Sequence, residues 1–539
     1  MKQIHRPTVL AGLWLASFAA CPAVDAQCRT DRVEAADAQN FSHFGKSVAI
    51  SGNRMVIGET DFEQGGKTTG AAYVYELSAS GWTQQARLLA SDGRNFDDFG
   101  VAVAIDGDTI LVGADSTDGP LSGAVGAVYS YSWNGSDWVE TQRFKPSDGA
   151  SGGFFGAAVA IDGDTAVIGR FWDSARAHDA GSAYVFMRSN GTWAQTQKLV
   201  APNPQPEDNM GMAVAISGDT IVVGAPNRFS AGNDDTQLGR VLVFERANGV
   251  WTQLPQAVLR PSNPAVFDQF GIAVAADGDR IAVGAWQDTF FAPTSGPGAA
   301  YVFERIDGTW QETQDFTAPD PMVQAEFGGS IAIQGSWLLI GAPSRSAFPL
   351  LGAVYSYHES DTGWSLTKLF LPDPSPSDNW MGNSLALDGN HAVAGAFIES
   401  LAEEQNGTAY VLGGFDPFTD EGFGLAGSGG TPQLAGSGTA CAGSSVNLVL
   451  SGARPNSTAT LYLGPARIDR PFHGGTLVPA PRIVRHDLHT NADGQLVVPN
   501  IPIPPTAAPT TTLYAQIWIV DPQGPEGLAA SNAIAVSVP

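Results

Sequence analysis

The residues that could do chemistry in this sequence are mostly carboxylates, and they recur in one setting: Asp106-Gly-Asp108, Asp162-Gly-Asp164, Ser217-Gly-Asp219, Asp277-Gly-Asp279 and Asp388-Gly-Asn390. Oxygen-bearing side chains across a tight glycine turn read first as solvated hairpins. As cation ligands they fall short, because a hard divalent ion takes about six to eight oxygens from its loop. Arg485-His-Asp-Leu-His489 offers two imidazoles. Three-residue spacing on a strand sends them to opposite faces, so one ion could not hold both. No Gly-x-Ser-x-Gly elbow, His-Glu-x-x-His motif or phosphate-cradling loop precedes a helix anywhere, and there is hardly a helix to carry one. Nothing singles out a glycosidase pair among the 54 acids. No catalytic residue and no metal site is therefore assigned, and no cofactor is expected.

The elements that carry these residues repeat. Phe44-Gly45, Phe99-Gly100, Phe155-Gly156, Met210-Gly211, Phe270-Gly271, Phe327-Gly328 and Met381-Gly382 stand 55, 56, 55, 60, 57 and 54 residues apart. Each copy reads as four strands. In the second copy Val101–Ile105 alternates large and small residues, Asp106-Gly107-Asp108 turns the chain, and Ile110–Ala114 returns; Ala127–Tyr131 and a strand from Trp138 to Phe144 follow. Four antiparallel strands with short links make one propeller blade, and blades must stack to bury their faces. The seventh copy lacks its last strand, while Arg32–Phe41 aligns with Arg87–Phe96. The sequence thus predicts an all-β, seven-bladed β-propeller whose N-terminal strand closes the last blade.

In such a ring the links between strands 2 and 3 and between blades share one rim. These are the long, variable links here, and variation confined to one rim of a rigid scaffold suits a ligand face. The candidate binding residues on it are Phe171, Trp172, Asp173, Trp286, Asp288, Asp97, Asp98, Asp234, Asp235, Asp378 and Trp380. Aromatics beside carboxylates suit a sugar or a protein hot spot. The bland alternative is that the tryptophans pack under their own loops.

Phe-Gly, a strand, then Gly224-Ala225-Pro226 or Gly341-Ala342-Pro343 resembles the FG-GAP repeat of integrin α-subunit propellers and their bacterial relatives. The resemblance covers roughly residues 30 to 415 and implies ligand binding on the long-link rim. It also implies calcium loops of the form Asp-x-Asp-x-Asp-Gly, from which the shortened hairpins here depart. The family's calcium sites are therefore not carried over wholesale, and bound calcium stays the alternative to no cofactor.

Charge and composition bound the partners. With 28 basic and 54 acidic side chains the net charge is −26, which excludes nucleic acid as a partner and disfavours anionic lipid. Lys2 and Arg6 precede an apolar run from Val9 to Ala20, and Val24-Asp25-Ala26 follows, so residues 1–26 read as a signal peptide. The alternative is a lipoprotein acylated at Cys21. No later run is long enough for a membrane helix. Residues 27–417 are assigned to the propeller, 418–438 to a Gly/Ser-rich linker and 439–539 to a small β-sandwich. Cys28 and Cys441 are a candidate disulfide, with two free thiols as the alternative. The function expected is a monomeric, secreted or surface-associated adhesion module for an extracellular protein or glycan. A structural envelope or matrix protein and a propeller enzyme, such as a glycan-active hydrolase, are the alternatives.

Overall fold

The computed structural model describes residues 31–537 except 38, 79–80, 117–123, 150–151, 228–237, 265–267, 287–295, 321–324, 345–350, 361, 373–378, 399, 402–403, 414, 416–417, 438–439, 441–443, 505–506 and 508–510. The leader, Cys21, Cys28 and Cys441 lie outside the described residues. So do Asp234, Asp235, Asp288 and Asp378.

Seven four-stranded antiparallel sheets follow one another along the chain. Blade 1 consists of Phe44–Ser51, Arg54–Glu59, Ala71–Ser78 and Gly81–Leu88. Blades 2 to 6 repeat that order, ending with Gly363–Phe370. Blade 7 takes Ser384–Asp388, His391–Ala396 and Thr408–Gly413 from its own repeat and Asp31–Val33 from the other end of the chain. Asp31 faces Val411 and Val33 faces Ala409. The innermost strands touch in sequence order, and the last of them touches Phe44–Ser51, so the ring is closed.

The repeated motif is a description of how neighbouring blades meet. At every copy the residue before Phe-Gly or Met-Gly starts a turn, its carbonyl accepting from the N–H three residues on, as from His43 to Lys46 and from Trp380 to Asn383. The third residue of that turn has φ of 87° to 99° throughout, which in a type II turn calls for glycine. The other glycine, just before the Ala of Gly-Ala-Pro, lies against the carbonyl of the next blade's turn. A Cβ on Gly58 would stand 2.0 Å from Gly100 O, and one on Gly395 would stand 2.0 Å from Gly45 O, closing the circle.

A second ring runs through the strand 1–2 hairpins. Gly107 N–H donates to Ser51, Gly163 to Asp106, Gly218 to Asp162, Gly278 to Ser217, Gly335 to Asp277, Gly389 to Gln334 and Gly52 to Asp388. The second acid of the hairpin binds an arginine that lies over the repeat's tryptophan. Arg188 joins Asp164 and Trp193, Arg246 joins Asp219 and Trp251, and Arg305 joins Asp279 and Trp310. The hairpin carboxylates are thus engaged by backbone and guanidinium groups.

Beyond the propeller, sheets of six and three strands face each other across one core. Leu448, Leu450 and Val498 come from one sheet, and Leu461, Ile517 and Val536 from the other. The expectation of a linker at 418–438 is corrected here. Phe418–Gly422 pairs with Ala533–Ser537, and Gln433–Ser437 pairs with Ser445–Ser451. Glycine and serine lowered the apparent apolar content, but edge strands need few large side chains to be held by their ladders. Asn390 Nδ2, from the seventh hairpin, donates to Ser537 O of this sandwich at 3.3 Å.

Candidate functional site

The residue that opens each Phe-Gly turn is left-handed in all seven copies: His43, Asp98, Phe154, Asn209, Gln269, Glu326 and Trp380 have φ between 48° and 60°. Such a conformation is uncommon outside glycine, and most of these residue types gain nothing from it locally. It recurs at the opening of every turn, and this backbone presents the side chain to the end of strand 2 of the same blade. In blade 1 His43 Nδ1 meets Asp61 Oδ2 at 2.5 Å. In blade 2 Ser116 Oγ donates to Asp98 Oδ2 at 2.8 Å. Phe154 meets Trp172 edge-on at 4.9 Å, Trp286 Nε1 donates to Gln269 Oε1 at 2.9 Å, Ser344 Oγ donates to Glu326 Oε2 at 3.1 Å, and Trp380 meets Phe397 at 5.6 Å. One scaffold position thus carries pairs of four kinds: imidazole and carboxylate in blade 1, hydroxyl and carboxylate in blades 2 and 6, two aromatic rings in blades 3 and 7, and indole and amide in blade 5.

Across blades 1 to 3 these pairs line a cavity of about 400 Å³, bounded by Lys46, Thr60, Asp61, Asp98, Val101, Asp115, Ser116, Phe154, Phe171 and Trp172. Its two walls differ. Blades 1 and 2 supply carboxylates, and blade 3 supplies aromatics, with Phe154 and Phe171 stacked at 5.5 Å. Lys46 lies 4.4 Å from the centre of the Phe397 ring, at the edge of the acidic wall. Burial pushes the Asp115 carboxyl up to about 7, helped by the negative charge of Asp98. Burial likewise raises Asp98, against the hydrogen bond from Ser116. Burial would also raise Asp61, but hydrogen bonds from His43 and Thr60 outweigh it and hold this carboxyl below its usual range. The wall therefore mixes Asp61, held as a carboxylate, with Asp115, whose acid form burial favours.

Of the sequence candidates, Asp98, Phe171 and Trp172 come together in this cavity. Trp286 and Trp380 stand on the same rim in blades 5 and 7, half-buried against Gln269 and Phe397. Asp97 and Asp173 are buried. Asp97 accepts from Arg94 N–H, and Asp173 holds Ser182, Lys198 and the Ala175 N–H, so both brace links. The sequence reading missed His43, Lys46, Asp61, Asp115 and Phe154. It also missed Phe41 and Phe96, which stand 60% and 62% exposed two residues before the turn openers of blades 1 and 2. A signal was present: the column before Phe-Gly reads His, Asp, Phe, Asn, Gln, Glu, Trp beside a nearly invariant neighbour. Among the described residues no group of three or more His, Cys, Asp or Glu could hold a metal ion. No helix among them is long and apolar enough to cross a membrane.

The fold and this rim define a β-propeller with a diversified loop face on an invariant frame. Six consecutive stretches, residues 29–75, 82–131, 138–186, 193–244, 251–303 and 310–357, match the model of the FG-GAP repeat, and together they exceed half the chain. The chain belongs to the FG-GAP repeat family. No curated protein matches it. A solved structure of a protein described as a candidate 6-phosphogluconolactonase, from Bacteroides uniformis, is similar at 11% identity over 61% of this chain and 86% of its own, with a TM-score of 0.41. At that score it carries no argument about this site.

Proposed function

We propose that this chain is a secreted or surface-associated recognition module that holds an extracellular glycan or protein ligand on its long-link rim, centred on the cavity across blades 1 to 3. One observation carries the reading: the frame positions are the same from blade to blade, while the side chains they present to the rim differ, and three of those blades enclose a space with one acidic and one aromatic wall. A structural frame alone gives no reason for that difference. Phe41 and Phe96 add two exposed rings on the approaches to the turns of blades 1 and 2, two residues before His43 and Asp98.

The test is capture of glycans and extracellular matrix proteins on an array by the full chain, repeated with Asp98→Asn and Phe96→Ser. The first variant keeps the shape of a cavity-lining carboxyl, and the second alters only an exposed ring. Each is expected to weaken capture by about tenfold, a change of one hot-spot contact. Capture of nothing by the unaltered chain, or capture by both variants as strong as by the unaltered chain, would reject the reading in favour of a spacer role. A hydrolytic reading draws on a single feature, the Asp115 carboxyl raised by burial beside Asp98. Release of new reducing ends from a captured glycan would favour it.

A further inference from the structure

The strongest unassigned surface lies at the far end of the chain. Between residues 465 and 489 there are four arginines and three histidines against two aspartates, in a protein whose net charge is −26. The strand Ile483–His489 is the edge of the six-stranded sheet and, among the described residues, pairs only with Thr458–Gly464. Arg482 N–H donates to Leu463 O, and Ala480 N–H donates to Ala466 O. These bonds stitch the entry to this strand onto the hairpin that carries Arg467 and Arg470. Arg470, Arg482 and Arg485 are exposed, and no carboxylate stands within ion-pairing distance of them among the described residues. In the propeller, by contrast, arginine after arginine is closed on an acid.

Charges on an edge strand have an ordinary purpose, since they discourage chance pairing with another chain. That purpose does not account for their neighbours. Ile483 is 51% exposed and Val484 39%, between Arg482 and Arg485 on the same edge. An edge designed only to repel would not interleave aliphatic side chains with its cations. Register shows how the two kinds are arrayed. Ile483 and Arg485 face Leu463 and Leu461, and Val484 faces Tyr462, so each sheet face at this edge offers an aliphatic group next to a cation. Arginine forks suit carboxylates, and the aliphatic groups between them give no flat ring on which a sugar would stack.

We propose that this edge docks an extended acidic polypeptide, which adds a strand alongside Ile483–His489 and places its carboxylates on Arg482 and Arg485 and its apolar side chains on Ile483 and Val484. The main-chain hydrogen bonds of the ladder supply affinity and the alternating side chains supply selection. The matching pattern repeats Val-Val-Glu-Glu, because residues two apart on one face must then be one apolar and one acidic.

The experiment measures fluorescence anisotropy of a labelled Val-Val-Glu-Glu repeat peptide with the full chain. The same peptide N-methylated on alternate residues keeps its charge and loses its ladder donors. A polyglucuronate chain and phosphatidylglycerol vesicles serve as anionic competitors. The proposal expects binding of the plain peptide, at least about tenfold weaker binding of the methylated one, and a similar loss in the Arg482→Glu, Arg485→Glu double variant, with its thermal midpoint unchanged. Both positions are exposed, so this variant folds if the reading of the surface is right. A second variant, Ile483→Ser, tests the aliphatic part without altering charge and is expected to weaken the plain peptide only. No binding, equal binding of the methylated peptide, binding indifferent to the double variant, or tighter binding of the glycan or the vesicles would each overturn it.

Discussion

The propeller and the sandwich treat their charges in opposite ways. In the ring Arg54 meets Asp108, Arg143 meets Asp92, Arg188 meets Asp164, Arg240 meets Asp208 and Arg280 meets Glu359. Two of these pairs, Arg54 with Asp108 and Arg280 with Glu359, join one blade to the next. In the sandwich Arg470, Arg482 and Arg485 are exposed, with no carboxylate in ion-pairing distance among the described residues. Seven sheets must meet at seven equal interfaces for the circle to close, and apolar contact alone leaves each interface free to slide. Directional bonds between hairpins remove that freedom. A two-sheet sandwich takes its register from alternation along the strands, as in Val446, Leu448 and Leu450, and its surface charges are left over for other uses.

The largest expected effect strikes the ring where its ends meet. Gly395 lies with the site of its missing Cβ 2.0 Å from Gly45 O, a backbone atom that cannot move without shifting blade 1. Gly395→Ala is expected to cost about 3 kcal/mol or more, as overpacking at a rigid contact does. Denaturant unfolding followed by tryptophan fluorescence reads it. A loss below about 1 kcal/mol would mean the blades tolerate slack, and the contrast with the sandwich would lose its basis.

A smaller effect separates the two regions by pH. Glu59 occupies the position that is Ala in most blades, fully buried, with Tyr73 donating to it at 2.7 Å. Burial pushes its carboxyl from the ordinary 4.5 up to about 7, against the hydrogen bonds from Ser42 and Tyr73. Between those values the folded chain keeps a proton that the unfolded chain has released, so this group's contribution to stability falls as pH rises from about 4.5 to 7. The loss amounts to roughly 3 kcal/mol. In the sandwich Asp521 runs the other way: burial would raise it, but bonds from Ser428 outweigh burial and lower it, so its contribution is lost as pH falls. Glu59→Gln, neutral at every pH, is expected to gain about 2 kcal/mol on the unaltered protein between pH 5 and pH 8. Parallel stability curves for the two proteins would refute the assignment.

Much of this was legible in the residues, and what was not has a physical reason. The seven Phe-Gly and Met-Gly starts announced the sheets, and the alignment of Arg32–Phe41 with Arg87–Phe96 announced the strand Asp31–Val33 in blade 7. Periodicity along a chain survives in the sequence. The hairpin acids were read as solvated, but Asp106, Asp162 and Asp277 cap the next blade's glycine, a partner 56 to 58 residues away that a local reading cannot see. The cavity was legible only in part for the same reason. Phe171 and Trp172 stood out as aromatics, whereas Asp61 and Asp115 gain meaning only once blades 1, 2 and 3 lie side by side.

The smallest effects test whether charges in the two regions differ in kind. Asp388 is half-buried at the hairpin end of blade 7, where it accepts from Gly52 N–H at 2.5 Å and from Gln334 Nε2 at 2.9 Å, joining blade 7 to blades 1 and 6. Asp388→Ala leaves both donors to water and removes one link of the hairpin ring. It is expected to cost about 1 kcal/mol, the net value of an exposed hydrogen bond or slightly more. Arg482 and Arg485 accept no such task, and replacing either by Ala is expected to move stability by less than about 0.5 kcal/mol. Unfolding midpoints of the three variants, measured in one denaturant series, decide the matter. Equal losses would mean that the sandwich arginines also hold their own fold together, and the surface they make would then need no partner to explain it.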